Sequence, residues 1–129
     1  MTHTYSDYRA KQEAEAIARN KPIQAYANHA MYSDIEPYEV IEKRTDNKVI
    51  IRSMRAEHKD GWKPNMIPGG FSFHCTNNQD QRNAWEITSD EDGHTITIRW
   101  SKAKCRWQDA HGNRYFMSEQ PVKKYDYNF

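Results

Sequence analysis

The chain contains no leucine in its 129 residues. Leucine is the residue that most easily fills an amphipathic helix stripe. Isoleucine, valine, threonine and the aromatics suit a pleated, half-buried surface instead. The apolar side chains here are mostly Ile, Tyr, Trp, Phe and Met, and they come in short runs separated by turn clusters. A chain of this kind is constrained to build its core from strands. At this length it forms one domain with enough buried surface to fold without disulfides.

The runs set out the expected strands. "YEVIEKR" and "KVIIRSM" flank "TDN" from residue 38 onwards, the pattern of a hairpin. "NAWEIT" and "HTITIRW" flank "SDEDG" as a second hairpin, and "CRWQ" and "NRYFM" flank "DAHG" as a third. In residues 94–100, Ile96, Ile98 and Trp100 share one strand face, and Thr95, Thr97 and Arg99 share the other. Residues 57–70 read as a loop carrying Pro64, Pro68, Gly69 and Gly70, followed by the short strand "FSFHC". Tyr125, Tyr127 and Phe129 alternate as a last strand. Residues 6–20 read as a helix capped by Ser6 or Asp7, with a thin stripe of Ala10, Ala14, Ile17 and Ala18, and Pro22 stops it. That helix is either a loose arm or an element that packs on a second subunit. Residues 23–36 are open between a short helix and an extended connection. The expected fold is mainly β: an antiparallel SH3-like or small-barrel sheet over residues 31–129, preceded by a helical arm over residues 1–30.

Net charge is +1, so nothing global draws the chain to nucleic acid or to a membrane. No apolar run approaches a bilayer span, and the expected setting is cytoplasmic. Charge is nevertheless segregated along the chain. Residues 99–114 carry Arg99, Lys102, Lys104, Arg106 and Arg114 against Asp109 alone, while acidic residues gather at 89–92. Cys75 and Cys105 are far apart in strand-like surroundings and are expected as free thiols.

The stretch "NMIPGGFSFHCTNNQD" (65–80) carries most of the chemistry. Neighbouring residues of a strand point to opposite faces, so His74 and Cys75 cannot form a nucleophile–base pair with each other. The histidines and cysteines lack the short spacings of a zinc site, and no phosphate-binding loop or nucleophile elbow is present. "HTIT" at 94–97 places its threonines at the wrong offsets for the His-x-Thr pattern of phosphodiesterases. No catalytic residue, metal or cofactor is therefore assigned. A nucleotide site fits the composition better. Gly69 and Gly70 let backbone approach a phosphate. Phe71 or Phe73 can stack a base. His74 can donate to a phosphate or ribose. Asn77, with Asn78 and Gln79, can read base or ribose edges. Arg82, Arg99 and Arg106 supply charge-assisted donors. The plain alternative is a tight turn followed by a core strand.

The order "YSDIEPYEVIEKRTDNKVIIRSMRAE", "PGGFSFHCTNNQDQRNAWE" and "IRWSKAKCRWQDAHGNRYFMSEQPVKKYDYNF" resembles a widespread family of small, uncharacterised phage-encoded proteins. These share a "PGGF…H" loop and a "YYDFNF"-like tail. The resemblance covers roughly residues 31–129, and the chain departs from it where Ala103 and Lys104 replace the usual turn glycine. It implies a phage accessory protein working in an infected bacterial host. With the loop chemistry, it leads to the expectation of an oligomeric, non-catalytic protein that sequesters a small nucleotide used as a host immune signal. The rival readings are a phosphodiesterase acting on such a nucleotide, and a module binding single-stranded nucleic acid or a host protein through residues 99–115. Nucleic acid is the less expected partner, because the overall charge is nearly neutral.

Overall fold

A computed structural model describes residues 4–69, 72–75, 77, 78, 81 and 83–128; the side chains of residues 72–74 lie outside the description. Helix α1 (Tyr5–Asn20) is followed by strands β1 (Tyr26–Ala30), β2 (Ile35–Thr45), β3 (Lys48–Ser53), β4 (Arg55–His58), β5 (Met66–Gly69), β6 (Ser72–Cys75), β7 (Trp85–Thr88), β8 (Thr95–Ser101), β9 (Arg106–Gln108) and β10 (Arg114–Ser118). Six strands close an antiparallel barrel in the order β1-β10-β9-β8-β3-β2. The expectation of a mainly β small barrel with an N-terminal helix is met. β1 is the barrel's first strand, so the helical arm is shorter than residues 1–30 and ends at Asn20.

Closure of so few strands demands strong coiling. Two register irregularities in the eleven-residue β2, between Val40 and Glu42 and between Lys43 and Thr45, supply it. The β2–β3 turn is tight: Thr45 pairs with Lys48, and the Asn47 N–H donates to Thr45 Oγ1 at 3.1 Å. The core is Ala27, Tyr38, Val49, Ile51, Ile98, Trp107 and Tyr115. It is the aromatic and β-branched core that a leucine-free chain can build. Trp100 and Trp107 are cross-strand partners and meet edge-to-face at 5.9 Å.

α1 begins with a capping box at Thr4, not at Ser6 or Asp7: the Asp7 N–H donates to Thr4 Oγ1 and the Thr4 N–H donates to the Asp7 carboxylate, each at 3.2 Å. The helix buries none of its residues. It is tethered at its C-terminal end, where Trp107 Nε1 donates to Lys21 O at 3.2 Å and Asn20 Nδ2 donates to Cys105 O at 3.3 Å.

Residues 54–94, between β3 and β8, make two small sheets, β4 with β7 and β5 with β6. This corrects two expectations. β7 and β8 do not form a hairpin: β7 pairs with β4, while β8 pairs with β3 and β9. Pro68 and Gly69 do not lie in a loop, since β5 pairs Pro68 with Phe73 and Gly69 with Ser72. β5 is an edge strand, where a proline costs no ladder bond.

Among the described residues the last segment forms no strand, against the expectation for Tyr125 and Tyr127, and Phe129 lies outside them. Its bridge to the barrel's ladder pairs Lys124 with Ile35. Its backbone is held instead by side-chain amides. Gln81, 5% exposed, donates from Nε2 to Tyr125 O at 2.6 Å and accepts the Tyr125 N–H at 3.0 Å. Asn128 makes the same two-way pairing with Cys75, accepting its N–H at 2.7 Å and donating to its carbonyl at 3.0 Å. Asn78 Oδ1 accepts the Tyr127 N–H at 2.8 Å. Each amide imitates a strand partner, since a carboxamide carries the same donor and acceptor as a peptide.

Candidate functional site

β8, β9 and β10 alternate strictly, and the inward positions Ile98, Trp107 and Tyr115 are buried. The residues between them must therefore face out. Register then brings the outward side chains into line. Lys48 pairs with Arg99, Arg99 with Gln108, Gln108 with Arg114, and Arg114 with Ala30. Directly opposed residues place their Cβ atoms about 5 Å apart on one face. A row with three cations and no carboxylate thus crosses five strands of the barrel wall.

Beside this row, α1, β9 and β10 enclose a groove of about 560 Å³. Its charged lining is Arg19, Lys104, Arg106 and Arg114, and Phe116, 37% exposed, contributes an aromatic face. Among the described residues none of these four cations, nor Lys48 or Arg99, makes an ion pair. Arg106 is oriented by its neighbours: Nε donates to Gln108 Oε1 and Nη2 to Gly112 O, both at 3.1 Å.

The one carboxylate nearby in sequence, Asp109, is fully occupied. Oδ1 accepts the N–H groups of His111 and Asn113, at 2.9 and 3.0 Å, and Oδ2 accepts Asn113 Nδ2 and the Tyr115 hydroxyl, at 3.0 and 2.9 Å. Partial burial pushes its pKa up, but the bonds from Asn113, Tyr115 and His111 outweigh that and hold it below the usual carboxylate range. It shapes the β9–β10 turn rather than a reactive site.

Lys104 and Cys105 bring the β8–β9 turn to the lining of the groove. Cys105 takes φ +50°, the left-handed conformation that a glycine would take without strain. Both cysteines are free, with Cys75 buried and Cys105 half-buried. A second groove, of about 820 Å³, lies by β4 and β7, and Glu57, Asp60 and Glu86 line it with His58, Lys59 and Trp85. The two grooves are of opposite character.

The residues expected to bind a nucleotide fall in different places. Arg99 and Arg106 are in the barrel wall, and Gly69, Phe73 and His74 belong to the separate β5–β6 sheet. Gly70, Phe71, Gln79 and Arg82, and the side chains of Phe73 and His74, lie outside the described residues. Asn77 is occupied with the neighbouring loop: Oδ1 accepts the Asn65 N–H at 2.7 Å and Nδ2 donates to Lys63 O at 2.8 Å. Asn78 is buried and engaged with the tail through Tyr127 and Asp126. Trp62 is half-buried and packs on His58 and Tyr127.

Arg19 and Phe116 were not singled out by the sequence. The signal for Phe116 was its alternation with the inward Tyr115 and Met117; Arg19 comes to the groove only through the fold. Among the described residues no group of three or more His, Cys, Asp or Glu side chains is placed to hold a metal ion. No helix there is long and apolar enough to cross a membrane. No family model, curated protein or solved structure matches the chain.

Proposed function

We propose that the protein binds a phosphate-bearing nucleotide in the basic groove and holds it without turning it over. The observation that carries this reading is the set of four cations around one groove, Arg19, Lys104, Arg106 and Arg114, with the Phe116 ring exposed among them. Guanidinium groups grip phosphate through paired, charge-assisted donors. An exposed aromatic ring gives a base a stacking partner. The groove's volume lies within the ordinary range for small-molecule sites. Of the residues read from the sequence, Arg106 belongs to this seat and Arg99 stands next to it on the row. Capture of a nucleotide immune signal in an infected bacterium is the setting that the family resemblance suggests.

The test is a thermal-shift screen of the purified protein against mononucleotides, cyclic nucleotides and ADP-ribose-type compounds. A ligand at about a hundred times its dissociation constant adds about 2.7 kcal/mol of stability. The expected result is a shift with at least one ligand that Arg106→Glu and Arg114→Glu both abolish. Recovery of intact ligand after denaturation would support holding over turnover. A shift that survives both variants would move the site elsewhere; its loss in His74→Ala would move it to the β5–β6 hairpin. Accumulation of product would replace capture with hydrolysis.

A further inference from the structure

We infer that the natural ligand of the basic face is single-stranded nucleic acid, with the groove holding one nucleotide of a longer strand. This rests on the groove being the nucleotide seat, and extends it along the row. The groove does not end the positive surface. Arg114, which lines it, is linked by register through Gln108 to Arg99 and on to Lys48. Three strand spacings of about 4.8 Å carry this row roughly 14 Å across the barrel. A single mononucleotide in the groove leaves Arg99 and Lys48 without a phosphate. A strand of several nucleotides can occupy both parts.

The chemistry of the row favours a phosphate backbone. Its members are three cations, an amide and an alanine, with no carboxylate from Lys48 to Ala30. The net charge of +1 hides this face, because the carboxylates of Glu57, Asp60 and Glu86 stand in the other groove. Phe116 sets the choice of single strand over duplex. Its ring can take a base face only where that base is unstacked from its neighbours.

The experiment measures fluorescence anisotropy with labelled oligothymidylates and oligouridylates of increasing length. A thermal-shift titration with the matching mononucleotides runs in parallel. The expected result is affinity that rises with length up to at least about four nucleotides. Lys48→Glu should weaken the longer oligomers several-fold and lower the slope of log K against log salt by about 0.7 for the lost phosphate contact. It should leave the mononucleotide shift unchanged, with far-UV circular dichroism confirming the fold. Phe116→Ala should weaken every length that fills the groove. Thymidylate and uridylate series show whether DNA or RNA is preferred.

Mononucleotide binding with no gain on lengthening would overturn the inference and leave the groove reading intact. Oligomer binding indifferent to Lys48→Glu would overturn the path along the row. Oligomer binding unchanged by Phe116→Ala would overturn the role of Phe116. No binding of either mononucleotide or oligomer would remove both readings together.

Discussion

Gln81→Glu tests the idea that side-chain amides, and not strand pairing, hold the last segment of the chain. The substitution keeps size and shape and removes one donor group. Gln81 Nε2 donates to Tyr125 O at 2.6 Å and to Asn78 O at 2.7 Å, while Oε1 accepts from Tyr125 N at 3.0 Å and Trp85 Nε1 at 3.2 Å. A carboxylate retains the accepting half. It sets its second oxygen against two carbonyl oxygens with no proton between them. Two lost bonds cost about 1 kcal/mol each, and the buried charge adds at least as much again, for roughly 3–5 kcal/mol at neutral pH. Burial against two carbonyl oxygens favours the protonated form, so the new carboxyl's folded pKa lies above the unfolded value of about 4.3. The deficit is then small below about pH 4.3 and grows as pH rises through the folded pKa, by up to about 1.4 kcal/mol per unit. Urea denaturation of wild type, Gln81→Glu and Gln81→Leu across mildly acidic to neutral pH measures it. The leucine variant should be destabilised without this pH dependence. A glutamate variant whose deficit is below about 1 kcal/mol, or flat with pH, would refute the amide clamp.

Three further outcomes are expected. Cys105→Gly relieves a left-handed residue worth roughly 1–2 kcal/mol, less the added entropy of an unfolded glycine, and should raise the urea midpoint slightly, whereas Cys105→Val should lower it. Gly93→Ala should destabilise by more than about 2 kcal/mol in the same assay, because a Cβ there would overlap the Ser53 carbonyl oxygen, which is backbone and cannot step aside. Burial raises the pKa of both Tyr38 and Tyr115, reinforced at Tyr38 by Glu36 and Asp109 and at Tyr115 by its bond to Asp109. The folded values lie above the unfolded value of about 10, so their contribution is complete below about pH 10 and is lost as pH rises beyond it; denaturation curves across that range, with Tyr115→Phe as the less pH-sensitive variant, check the sign.

Local signals gave away local structure. "TDN" and "DAHG" each turn the chain back on itself, and β2–β3 and β9–β10 are the hairpins expected there. "SDEDG" is also a true turn, with the Gly93 N–H donating to Asp90 O at 3.0 Å, yet the strands it joins part company. Alternation says which face a residue takes, not which strand lies alongside. β8 goes to β3 because Ile96 and Ile98 pair there with Ile51 and Val49 of the core. β1 carried too weak an apolar pattern to be read, with fully buried Asn28 beside Ala27. Asn28 satisfies itself by donating to Phe116 O and accepting the Val122 N–H, partners far away in sequence. The amide patch was visible, but its direction was not: the carboxamides of Asn78 and Gln81 face the chain's own tail. The basic run 99–114 was legible as charge. Its assembly into one surface needed the register, and Arg19 needed the helix to be placed.

The stretch between β3 and β8 leaves the barrel and returns to it at neighbouring positions, where the Ser53 N–H donates to His94 O at 2.9 Å. Its two ends are thus already joined by the ladder, and the six-stranded wall closes without help from it. Replacing residues 54–93 with a short linker would therefore shorten a loop whose ends the ladder has already brought together. The tail, deprived of Gln81, Asn78 and Cys75, would come loose, while the basic face would keep every strand that forms it. The protein is in this sense a barrel with a separable head: the acidic, aromatic-rich end can be removed and the cationic side kept unchanged.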